Sequence, residues 1–127
     1  MERRKFIKAT AIGSTCALAG TVAAAGAHSG EKVADFVTKI TVVKKSVNQE
    51  FNKEIRGQEG SVCDVFSEGQ EFIVKSPWEV PEGFCQWAWA DIRTYIHLVN
   101  EGNFGNTVAC CTDGFRPVFF KIERVKK

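Results

Sequence analysis

Apolar and polar positions alternate along Asp35 to Val43. Phe36, Thr38, Ile40 and Val42 share one face, while Val37, Lys39, Thr41 and Val43 share the other. This period of two predicts a strand. Asn48 to Ile55 predicts a short helix, with Ser46 or Asn48 as its cap and Gly57 just past its end. Gly57 to Gly60 is a loop, and Cys63 follows in Ser61-Val62-Cys63-Asp64-Val65-Phe66. Glu68-Gly69 predicts a turn, and Glu71 to Lys75 a second strand. Pro77 to Gly83, with Trp78 inside it, is a connecting loop.

The strongest pattern lies over about 84–100. Cys85, Ala88, Ile92, Ile96 and Val99 recur at steps of three and four, the apolar stripe of an amphipathic helix. Gln86, Arg93, His97 and Asn100 fall opposite, and Trp89 and Tyr95 widen the stripe. Glu101 to Gly105 supplies stop signals. Thr107 to Cys111 predicts a strand, and Thr112-Asp113-Gly114 a tight turn. The last strand has Val118, Phe120 and Ile122 on its apolar face and Lys121 and Glu123 opposite. These two strands form a predicted C-terminal β-hairpin. The expected fold class is α+β, a small and mostly antiparallel sheet with the one main helix across a face. No internal repeat is present.

The N-terminal residues do not belong to this pattern. Glu2-Arg3-Arg4-Lys5-Phe6-Ile7-Lys8 resembles a twin-arginine export signal, departing from it only at Glu2, where Ser or Thr is usual. Arg3, Arg4, Phe6, Ile7 and Lys8 carry the likeness. Ala9 to Ala27 is uncharged and weakly apolar, too weak for a membrane span. Ala25-Gly26-Ala27 offers a cleavage site before His28, with Ala23-Ala24-Ala25 as the alternative. The division is a signal over 1–27, a linker over 28–34 and one domain over 35–127. The expected location is periplasmic or extracellular, with the twin-arginine translocase as a partner and membrane contact only through an uncleaved signal. This route carries folded proteins, often those holding a cofactor or bound to a partner that does.

Removing 27 of the 127 residues leaves 100, enough for a modest core that gains from staples. The full chain carries +2, but without the leader 13 of the 17 basic and 14 of the 15 acidic residues remain, a balance of −1. A near-neutral domain with no basic run excludes nucleic acid as the expected partner.

The motifs Glu68-Gly69-Gln70-Glu71-Phe72, Pro81-Glu82-Gly83-Phe84-Cys85 and Trp87-Ala88-Trp89-Ala90-Asp91-Ile92 stand together with Cys110-Cys111-Thr112-Asp113-Gly114-Phe115-Arg116-Pro117-Val118 and Phe120-Lys121-Ile122-Glu123-Arg124. From about Ile40 to Arg124 the chain resembles an uncharacterised family of small bacterial and archaeal proteins. The resemblance implies no activity. It implies that many members are cytoplasmic and keep cysteines corresponding to Cys63, Cys85 and Cys111. Two departures stand out: the segment from Phe104 to Thr107 is shorter, and a leader is added.

The candidate chemistry is sulfur. The chain has five cysteines, and Cys63, Cys85, Cys110 and Cys111 lie beyond the leader. Export and an even number favour structural disulfides. The cytoplasmic relatives point instead to redox-active thiols or a metal ion held by Cys63, Cys85 and Cys111. No C-x-x-C spacing is present. Cys85 is expected in the first turn of the helix, where unpaired N–H groups and the dipole favour a thiolate. Strand alternation separates the last pair: Cys110 sides with Val108 as the expected core residue, and Cys111 with the smaller Thr107 and Ala109. His97 reads as a surface histidine, His28 as linker, and Trp78, Trp87 and Trp89 as core. Arg116 and Arg124 read as surface or ion-pair residues. No carboxylate pair, phosphate loop or Ser/His/Asp arrangement emerges. The expected function is an exported accessory or binding domain with structural or metal-binding cysteines and a redox protein as candidate partner. The alternative is a thiol-redox or metal-dependent protein using Cys85 with Cys63 or Cys111.

Overall fold

The computed structural model describes residues 35–127. The export motif, the cleavage site at Ala25 and Ala27, and His28 lie outside the described residues. Four strands form one antiparallel sheet: β1 (Phe36–Lys45), β2 (Glu71–Val74), β3 (Thr107–Cys110) and β4 (Val118–Lys126), in the order β2-β1-β4-β3. The helix α2 (Gln86–Asn100) crosses one face. A short α1 (Gln49–Phe51) runs directly into a π-helical turn, Asn52–Arg56. The fold is α+β, and β3 and β4 form the C-terminal hairpin.

The centre of the sheet is the long β1–β4 pair. Ile40 stands opposite Ile122, and Val42 opposite Phe120. These four side chains are fully buried beneath α2, which contributes Ala88, Trp89, Ile92, Ile96 and Val99. The register slips between Val42 and Lys44, leaving Val43 as an extra residue. There β1 turns toward the loop before β2, and Val42 exchanges backbone bonds with Gln70 and Gly69 at 2.9 and 2.7 Å. At one end of the core Phe66, Phe72, Phe84 and Phe120 meet largely edge to face, with centroids between 4.8 and 6.0 Å apart. Pairs of this kind add about 0.5–1.5 kcal/mol each beyond their buried area. They also fix Phe84, the residue that leads the chain into α2.

The helix stops where the Gly signal predicts. Gly102 has φ +75°; its N–H reaches Val99 O and that of Asn103 reaches Leu98 O, the double bond of a Schellman cap. The positive φ is what requires glycine here; a Cβ would also meet the tip of the Arg124 side chain, 2.7 Å away, which can move aside.

Some expectations are corrected. Trp89 is 5 % exposed, but Trp78 and Trp87 are 71 % and 66 % exposed, so only one of the three is core. Trp87 and Trp89 are two residues apart on a helix, so both rings cannot meet the sheet. Tyr95 is exposed rather than part of the stripe. Cys110 is exposed, whereas Cys111 is 8 % exposed and belongs to the core. Cys110 opposes Phe119 on the outer face, and Ala109 opposes Phe120 on the face under the helix. The alternation predicted for this strand holds, but its inward side is the reverse of the one expected. Asp113-Gly114 makes no tight turn: the strands are joined by 111–117, and Gly114 has no positive φ.

Candidate functional site: a cleft lined by thiols

At the end of the sheet near the start of α2, a cleft of about 440 Å³ opens between the helix, the 57–70 loop and the 111–117 loop. Small-molecule sites commonly span roughly 300–1,000 Å³. Cys63, Cys85 and Cys111 all line it. Cys63 and Cys85 are half-buried and Cys111 is buried. Cys110, one residue away, faces off the sheet and is not part of the lining. Chain segments well separated in sequence thus bring the thiols to one cavity.

Each segment is positioned by identifiable contacts. Cys63 rides on a loop tied to α1 by a reciprocal amide pair. Gln49 Nε2 donates to Gly60 O and Gly60 N donates to Gln49 Oε1, both at 2.9 Å. Lys45 Nζ donates to Cys63 O at 3.1 Å. Beneath this loop lies Asn52, a buried polar residue of the π turn. Its Nδ2 donates to Asn48 O at 2.9 Å and to Phe115 O at 3.3 Å, tying the start of α1 and the π turn to the 111–117 loop. A Cβ at Gly60 would collide with the buried Asn52 amide, so the loop passes here as glycine.

Cys85 is the N-cap residue of α2, with extended backbone at φ −67° and ψ 124°. It therefore stands just before the first turn rather than within it, and its side chain makes no capping bond. Cys111 extends β3 by one rung: its N–H donates to Val118 O at 3.1 Å, and Val118 N–H donates back to Cys111 Sγ at 3.3 Å.

The wall opposite is the 112–117 loop, held by α2. Asp91 accepts from Thr112 N at 2.7 Å and from Thr112 Oγ1 at about the same reach, 3.1 Å, while Trp87 Nε1 donates to Thr112 Oγ1 at 2.9 Å. Asp113 Oδ1 accepts from the backbone of Phe115 at 3.0 Å and Arg116 at 3.3 Å, and Oδ2 accepts from Arg116 Nε at 3.2 Å. Partial burial pushes the Asp113 carboxyl upward, but the bonds from Phe115 and Arg116 outweigh it and hold the group below the usual aspartate range. Arg116, raised chiefly by its bond to Asp113, also feels the Cys63 sulfur and Asp64.

Sequence reasoning identified Cys63, Cys85 and Cys111 but not the cations and aromatics around them. Arg56 stacks on the Phe115 ring at 3.7 Å and lines the cleft together with Arg116 and Trp87. Arg116, expected as a surface or ion-pair residue, pairs with Asp113 at 3.2 Å; the place of Arg56 was not legible in the sequence. His97 lies away from the cleft, 3.7 Å from Glu101 and beside the Trp78 ring. Among the described residues Arg124 forms no ion pair, and it lies over Phe36 at 3.8 Å. Among the described residues the cysteines are free thiols, and no three His, Cys, Asp or Glu side chains are gathered closely enough to hold a metal ion.

Comparison of the chain with family models, curated proteins and solved structures returns no match. What the cleft can do is therefore read from its own side chains.

Proposed function

We propose that this protein is an exported accessory domain that exchanges disulfides with a redox partner through its cleft. The observation that carries this reading is the convergence of Cys63, Cys85 and Cys111 on one cavity while Cys110 is turned away. Cys85 is the attacking thiol: it is half-buried, reachable from the cleft, and lies at the positive end of a 15-residue helix. Its thiolate attacks one sulfur of the partner's disulfide and releases the other as a thiolate. Cys63 or Cys111 then attacks the Cys85 sulfur of the mixed disulfide. The partner leaves as a dithiol, and the domain is left with a disulfide in the cleft.

The test is to follow alkylation of each cysteine in the native protein after mild oxidation, adding chelator and reductant separately. Cys85 and one other cleft cysteine become protected together, and reductant alone restores both. Protection that chelator alone releases would replace disulfide exchange with a bound soft metal ion.

The address forms the second half of the proposal. Arg3-Arg4-Lys5-Phe6-Ile7-Lys8 and the weakly apolar run behind it support export of the folded domain by the twin-arginine route. Replacing Arg3 and Arg4 by Lys leaves the precursor in the cytoplasm; export of that variant at the original rate would defeat this half.

A further inference from the structure

We infer that the cleft selects small disulfides that carry a carboxylate or comparable anion, and that Arg56 makes the selection. This inference rests on the disulfide-exchange reading and names the chemical class that the cleft admits. It follows from the charges around the cavity. Of the two guanidinium groups in the lining, Arg116 is already engaged by Asp113 at 3.2 Å and Asp64 at 3.4 Å. Arg56 has no carboxylate partner among the described residues. Its one hydrogen bond among the described residues is a long contact of 3.5 Å to Asn52 Oδ1. The group is nevertheless held in place, because Arg56 Cζ lies over the Phe115 ring, 3.7 Å from its centre. The contact with the ring uses none of the guanidinium's N–H donors as an ion pair would, so they remain for recognition of an oxyanion. Phe115 itself is fixed, since its carbonyl accepts from Asn48 N at 2.8 Å and from Asn52 Nδ2.

Arg56 also lines a second, smaller and polar cavity of about 130 Å³, formed with Ser61, Gly60, Gln58, Glu59 and Arg116. The Glu59 carboxylate there is engaged by Lys53 Nζ at 3.1 Å. The thiol-lined cleft and this polar cavity share Arg56, Phe115 and Arg116. A ligand with sulfur at one end and an anion at the other matches the pair: the sulfur reaches the cysteines and the anion reaches Arg56. In the covalent step a cleft thiolate attacks the ligand disulfide. One ligand half stays bound as a mixed disulfide, the other leaves as a thiolate, and no further oxidant is consumed.

The experiment uses the mature chain carrying Cys110→Ser, which removes the exposed thiol outside the cleft. Adduct formation is timed by intact mass spectrometry with three small disulfides of similar size: dithiodipropionate (anionic), hydroxyethyl disulfide (neutral) and cystamine (cationic). The anionic reagent is favoured over the neutral one by roughly tenfold, as a charge-assisted contact implies, and the cationic reagent is the slowest. Arg56→Gln brings the anionic-to-neutral ratio close to one, and Arg56→Lys restores part of it. A preference that survives Arg56→Gln would overturn the assignment to Arg56. Equal rates with all three reagents would overturn charge selection while leaving disulfide exchange in place. No adduct with any reagent would instead remove the exchange reading itself.

Discussion

The Asp91 carboxylate accepts the backbone N–H of Thr112 at 2.7 Å, fastening the main helix to the loop that walls the cleft. A charged acceptor on a backbone donor is worth about 1.5–3 kcal/mol when sheltered, and less toward solvent. Asp91→Ala is therefore expected to cost about 1–2 kcal/mol in chemical denaturation and to speed native-state alkylation of Cys111. Unchanged stability together with an unchanged alkylation rate would mean that the loop is held without this bond.

The two tryptophans of the helix differ in what they hold. Trp89 is 5 % exposed and packs edge to face with Phe84 at 5.9 Å, so Trp89→Ala is expected to cost about 3–5 kcal/mol. Trp87, 66 % exposed, contributes mainly its bond to Thr112, and Trp87→Ala is expected to cost about 1 kcal/mol or less. Equal losses for the two variants in urea unfolding would contradict the orientation of α2.

Adjacent cysteines give a direct test of which side of β3 is buried. Cys110 is exposed on the outer sheet face and Cys111 is buried with its sulfur accepting from Val118 N–H. In the native reduced protein Cys110 is expected to react with iodoacetamide far faster than Cys111, and denaturant is expected to bring their rates together. Faster labelling of Cys111, read by peptide mass spectrometry, would reverse the register assigned to this edge.

Asp113 makes stability depend on acid. Burial raises its carboxyl and the Phe115 and Arg116 bonds lower it, with the lowering dominant. A group depressed on folding stabilises the protein above its unfolded value and loses that contribution as pH falls through its folded value. The stability difference between the protein and Asp113→Asn is therefore expected to be level at neutral pH and to shrink below about pH 4, the ordinary aspartate value. A difference that stays constant through this acid range, followed by urea unfolding, would show that the charge of Asp113 is not what holds the loop.

Local patterning determined the elements of this protein. The alternation in β1, the three-and-four stripe of Ala88, Ile92, Ile96 and Val99, and the Gly102 stop each depend on a few neighbouring residues, and each reappears in the structure. The α+β class and the C-terminal hairpin follow from the order of those elements. Local patterning could not decide which side of a strand faces inward when both sides are apolar enough. Val108 made the Cys110 side of β3 look like core, and only the pairing of Ala109 with Phe120 beneath α2 placed Cys111 inside. Asp113-Gly114 read as a tight turn, but Asp113 accepts from Phe115 and Arg116, two and three residues on, and the bend is spread over the whole 111–117 loop. The cleft lies furthest from local legibility. Its thiols sit at positions 63, 85 and 111 on separate segments, and Arg56 joins them through a ring that is distant in sequence. Side-chain spacing along a chain reports what one helix or strand can present. What several segments present together is set by how they pack, and here that packing is the helix laid over β1 and β4 with two loops drawn around its first turn.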